Sequence, residues 1–93
     1  MGKITVQLHP SMKIHGKPDY FEGEFFNETI LQSITELLNK EPDIMNLCLQ
    51  NGGAKPGILY LADKMELHSL NLLNSKIEES SIAIKIVPIL HGG

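Results

Sequence analysis

The chain has 93 residues, 42% of them hydrophobic, and its 8 lysines, absent arginine and 11 acidic residues give a formal charge of −3. That balance argues against a nucleic-acid binder, which needs clustered cations to displace phosphate counterions and commonly uses arginine to read phosphate or guanine. No apolar run approaches the ~20 residues of a membrane span, no signal-peptide pattern opens the chain, and the single Cys48 excludes an internal disulfide, which points to a cytoplasmic protein without a membrane partner.

Lys3 to Leu8 alternates, with Ile4, Val6 and Leu8 on one face, and predicts a first strand. A second extended stretch carries Met12 and Ile14 into a turn at His15-Gly16-Lys17-Pro18-Asp19. Tyr20 to Phe26 is the returning strand of a hairpin, with Phe21 and Phe25 toward the core and Glu22 and Glu24 in water. Gly23 interrupts that pattern and leaves the register open. Thr29 begins the main helix, where its hydroxyl can cap the end while Gln32 reaches back in a capping box. Ile30, Leu31, Ile34, Leu37 and Leu38 fall on one stripe; Gln32, Ser33 and Glu36 stay outside, and Glu36 pairs with Lys40. Pro42 ends the helix. A short helical piece from Asp43 to about Leu49 gathers Ile44, Leu47 and Cys48, whose thiol is read as buried and structural. Asn51-Gly52-Gly53-Ala54 is a loop.

Ile58 to Ala62 is the third long strand, followed by a turn at Asp63-Lys64 and the short strand Met65-Glu66-Leu67. From 68 to 81 the chain is a loop or single helical turn anchored by Leu70, Leu72, Leu73 and Ile77. The last strand starts at Ile82, with Ile82, Ile84 and Ile86 on the core side and Ala83, Lys85 and Val87 opposite. Pro88 donates no ladder hydrogen bond and should stop that strand or place it on an edge. The order predicts an α+β roll, and parallel pairing of the first and last strands would make everything between them a crossover. Residues 1–89 are read as one domain and 90–93 as a flexible tail. His9, His15, His68 and His91 show no ligand spacing, so no metal site is expected.

The strand-strand-helix-strand-strand order, the Thr29-Ile30 helix start and the terminal Gly92-Gly93 resemble the β-grasp, ubiquitin-like proteins. Such a protein is a roll whose mixed sheet packs on one main helix, with a flexible C-terminal Gly-Gly tail. More specifically, Lys55-Pro56-Gly57-Ile58-Leu59-Tyr60-Leu61, an acidic turn, Met65-Glu66-Leu67 and the ending Leu90-His91-Gly92-Gly93 resemble the ubiquitin-related modifier family. The neighbouring molybdopterin synthase small subunit and thiamine-pathway sulfur carrier share the fold, but the former usually ends in Pro-Pro-Val-x-Gly-Gly, and here Pro88 stands alone.

The resemblance implies a sulfur carrier that is a substrate and not an enzyme. A separate activating enzyme would adenylate the Gly93 carboxylate with ATP, and a persulfide sulfur donor would convert it to a thiocarboxylate. The chain itself would bind no cofactor, since Gly52-Gly53-Ala54-Lys55 lacks P-loop spacing. The sulfur would go to the 2-thiolation of tRNA wobble uridines through a tRNA thiouridylase complex, and Gly93 would also be joined to lysines of target proteins. Two other readings stay open: the small subunit of molybdopterin synthase, and a non-catalytic β-grasp interaction module. In the leading reading Gly92, His91 and Leu90 are recognised as the tail of a monomer, although His91 also fits a solvated residue read by shape alone. The docking surface is expected from Ala83, Lys85, Val87, Ile89 and Leu90 together with Ile58, Tyr60 or Ala62, depending on strand register; coverage of Ile58 and Tyr60 by the Leu70–Ile77 loop is the alternative.

Overall fold

A computed structural model describes residues 2–89. Five strands form one mixed sheet in the order β2-β1-β7-β5-β6. These are β1 (Gly2–Leu8), β2 (Tyr20–Phe25), β5 (Ile58–Ala62), β6 (Met65–Glu66) and β7 (Ser81–Pro88). β1 and β7 are parallel, with Ile4 beside Ile82, Val6 beside Ile84 and Leu8 beside Ile86. That alignment follows from the two matched alternations, which put Ile4, Val6, Leu8, Ile84 and Ile86 together in the core at 1% exposure or less. The other pairings in this sheet are antiparallel.

Helix α1 (Ile30–Leu38) packs across the core face. Thr29 caps it as expected: its hydroxyl accepts from Gln32 N–H at 3.1 Å and the Gln32 side chain accepts from Thr29 N–H at 2.9 Å. Ile34 and Leu38 are fully buried, while Leu31 and Leu37 are half-buried against the same cluster. Ser33, expected in water, is buried instead. It lies three residues after Ile30, so helical geometry places it on the apolar stripe whatever its chemistry. The Glu36–Lys40 pair does not form; among the described residues the ion pairs are Lys3–Glu22 at 2.7 Å and Lys17–Glu41 at 3.0 Å. Gly23 sits opposite Ile4 with Leu37 lying over it, and a Cβ there would come within 2.5 Å of Leu37 Cδ2. The glycine that breaks the β2 pattern therefore makes room for Leu37 of the helix.

Helix α2 (Pro42–Cys48) follows and buries Ile44 and Cys48. Two connections differ from expectation. The stretch after β1 is a 3-10 turn (Pro10–Met12), not extended chain, with His9 accepting at its start from Ser11 N–H at 3.1 Å. Residues 51–54 also hold more than a loop. Leu49–Gln50 (β3) pairs with Gly53–Ala54 (β4) around Asn51 (φ 52°) and Gly52 (φ 75°). Two successive positive φ values make the tight hairpin turn for which Asn-Gly is the favoured pair.

Candidate functional site

β7 is the central strand, so the last described residues lie in the middle of the sheet. Its two neighbours stop at different points. β1 ends with Leu8 beside Ile86, and His9 N–H then donates to the Ile86 carbonyl at 2.9 Å. β5 continues further: Ile58 pairs with Pro88, and Ile89 N–H donates to the Gly57 carbonyl at 2.7 Å. Successive N–H groups on a strand point to opposite sides. The Pro88 nitrogen therefore faces the side that β1 has already left, and its missing donor breaks no ladder bond. The expected edge exists, but only locally, at the last residues of a central strand. The expected tail residues Leu90, His91, Gly92 and Gly93 lie outside the described residues.

The face of the sheet opposite the helices carries Lys85 and Val87 from β7, as expected, and Ile89 beyond them is 44% exposed. The β5 residues sharing this face are set by register. Leu59 stands opposite Val87 and Leu61 opposite Lys85, and both leucines are half-buried. Directly opposed residues share a face, so Leu59, Leu61 and Val87 form one apolar patch with Lys85 at its side.

Tyr60 and Ile58 do not belong to it. Tyr60 pairs with Ile86 and is 0% exposed, and Ile58, two residues before it, packs against the same core. The reason is parity. Ile58-Leu59-Tyr60-Leu61 is apolar throughout, so the run has no period-two signal, and only its pairing with β7 tells inside from outside. Leu59 and Leu61 were missed for that reason.

Tyr60 has another task. Its hydroxyl accepts from Lys55 N–H at 2.9 Å and donates to the Cys48 carbonyl, so it fastens both ends of the β3–β4 hairpin to the sheet. Burial raises its pKa, against a smaller downward pull from the Lys55 N–H. Burial also pushes the Cys48 thiol up to about 12, which leaves it inert as a nucleophile near neutral pH. On the far side of β5, the Glu66 carboxylate accepts from Tyr60 N–H at 2.9 Å, Ser69 N–H at 2.7 Å and His68 N–H at 3.2 Å. Burial works to raise its pKa, but these donors outweigh it and hold the carboxyl below the ordinary value. The side chain thereby replaces a strand partner where β5 runs out of one.

Among the described residues no three His, Cys, Asp or Glu gather as metal ligands, and no helix is long and apolar enough to cross a membrane. What the two paired strands β5 and β7 offer is an apolar patch of Leu59, Leu61 and Val87.

No family model and no curated protein matches the sequence. Solved structures do match. Small archaeal modifier protein 1 from Methanosarcina acetivorans superposes with a TM-score of 0.76 at 18% identity, covering 100% of this chain and 98% of that one. A chain of the BexX/CysO complex from Amycolatopsis orientalis gives 0.70 at 16% identity, over 97% and 99% of the two chains. Urm1 from Trypanosoma brucei gives 0.62 at 20% identity, over 99% and 96%. The chain has the ubiquitin-like β-grasp fold.

Proposed function

We propose that this chain is a ubiquitin-like sulfur carrier and protein modifier that is activated at the carboxylate of Gly93. The reading rests on one observation above the others: Val87, which completes the apolar patch with Leu59 and Leu61 of β5, lies on β7, the strand that precedes Leu90-His91-Gly92-Gly93 in the sequence. An enzyme that grips Leu59, Leu61 and Val87 would hold the tail at a fixed distance from its own reactive centre. Likeness in fold to a small archaeal modifier protein and to Urm1 supports it, and CysO in complex with BexX supports a partner protein holding such a body.

The Gly93 carboxylate would attack ATP on the activating enzyme, forming an acyl-adenylate and releasing pyrophosphate. A persulfide on the partner would then displace AMP, and a thiol would cleave the sulfur–sulfur bond to leave the thiocarboxylate. This protein acts as substrate throughout and binds no cofactor of its own. Its sulfur goes to tRNA wobble uridines through a thiouridylase complex, with conjugation to target lysines as a second use. Pull-down from the native cell separates this destination from molybdopterin synthesis, by recovering a thiouridylase or a molybdopterin synthase large subunit.

Incubation with the matching activating enzyme, ATP and a sulfur donor should change the intact mass by one oxygen-to-sulfur exchange, and deletion of Gly92 and Gly93 should abolish that change. Val87→Asp should slow adenylation severely while the circular dichroism spectrum stays native. Unchanged adenylation kinetics in folded Val87→Asp would rule out the patch.

A further inference from the structure

The sheet is not closed along its whole width. Pairing of β5 with β7 ends at Leu61 opposite Lys85, and β5 then turns away through Asp63, whose φ is 55°. β7 begins earlier, so Ser81, Ile82 and Ala83 pair with β1 and have no β5 residue beside them. The direction of their main-chain groups follows from the bonds at either end of the strand. The carbonyls of Ser80 and Ile86 go to the β1 side, accepting from Lys3 and His9, whereas Ile89 N–H goes to the β5 side. By alternation Ser81 and Ala83 point N–H and C=O away from β1, into the notch. Both residues are exposed.

Beneath this open edge lies a groove of about 520 Å3. Ile30, Ala62, Leu67, Leu72 and Ile82 give it an apolar floor, with Met65, 47% exposed, at one wall. Asp63, Glu78 and Glu79 stand on its rim. Lys76 also lines it, but its ammonium is drawn off to the Asn27 carbonyl at 3.2 Å and Asn27 Oδ1 at 2.9 Å. The rim is therefore net acidic.

We infer that the notch is a docking site for an extended, basic and apolar peptide segment of a partner protein, which adds a short strand along Ser81–Ala83. Each feature selects part of that chemistry. Strand groups pointing into a gap are satisfied by another extended main chain, the basis of strand addition. A floor beside Ile82 takes every second side chain if these are apolar. Three carboxylates above it select lysine or arginine at the segment's ends and repel nucleic acid. The site shares no residue with the Leu59–Val87 patch, so it would let a second partner bind while the activating enzyme holds the other face.

The test is a titration of isotope-labelled full-length protein with two capped peptides, Lys-Val-Leu-Val-Lys-Arg and Glu-Val-Leu-Val-Glu-Glu, followed by amide chemical shifts. The basic peptide should saturate with a Kd below about 1 mM, shifting the Ser81, Ala83 and Asp63 amides and slowing exchange at Ala83. Glu78→Lys combined with Glu79→Lys should weaken binding at least about tenfold. Ala83→Pro deletes a donor that faces the notch and should weaken it similarly; if that variant fails to fold, the surface charge reversal decides alone. Absence of saturation, equal binding of the acidic peptide, or shifts centred on Leu59 and Val87 would each overturn the proposal.

Discussion

Tyr60→Phe removes one oxygen and leaves the ring in place, so it isolates the role of the hydroxyl. In the folded protein that hydroxyl serves Lys55 N–H and the Cys48 carbonyl, and Cys48 is 0% exposed. A buried polar group stripped of its partner loses roughly 1–3 kcal/mol. Two groups are stranded here, and the half-buried Lys55 segment can recover part of its loss from water, so a total of about 2–3 kcal/mol is expected. For a protein of this size that lowers the thermal midpoint by roughly 8–24 °C. The pH dependence carries a second signature. The folded pKa of Tyr60 lies above the ordinary value of 10 because burial disfavours the phenolate. Its contribution is thus complete below pH 10 and lost as the pH rises through the higher folded value. Tyr60→Phe should unfold earlier at neutral pH and lack that alkaline limb. Urea unfolding at a series of pH values measures both. A loss under about 0.5 kcal/mol at neutral pH, or slowed activation of Gly93 in a variant of native stability, would refute the placement of Tyr60 as a core fastener.

Two further outcomes test the fold. Leu38→Ala should cost about 2–5 kcal/mol in urea unfolding, because Leu38 is fully buried where α1 meets the sheet; a loss below about 1 kcal/mol would mean that the stripe packs elsewhere. Glu66→Gln should destabilise the protein above pH 4.5, the ordinary carboxyl value, and progressively less below it. The sign follows from a folded pKa that is lowered: the stabilisation is present above the unfolded value and is lost as the pH falls through the folded one. A difference between thermal midpoints that stays constant from neutral to acid pH would show that the carboxylate charge has no part in bonding the three N–H groups.

Much of this was legible along the chain. Ile4-Val6-Leu8 and Ile82-Ile84-Ile86 announce two half-buried strands because their side-chain period matches the pleat. Thr29 and Gln32 announce a helix start because the capping box is completed within four residues. Asn51-Gly52 also carried a readable hairpin signal, and the loop expected there overlooked it. All of these are local, built from neighbours in sequence, and so the sequence by itself determines them. Other features had no local cause. Ser33 is inside because Ile30 sets the stripe and the sheet covers it. Pro88 is tolerated in a central strand because β1 has already ended. Tyr60 is inside and Leu59 outside because of a register with a strand more than twenty residues away. An all-apolar strand has two equivalent faces until a partner strand arrives, and a shift of one residue exchanges them. That choice, and with it the apolar patch of Leu59, Leu61 and Val87, was made only by the tertiary structure.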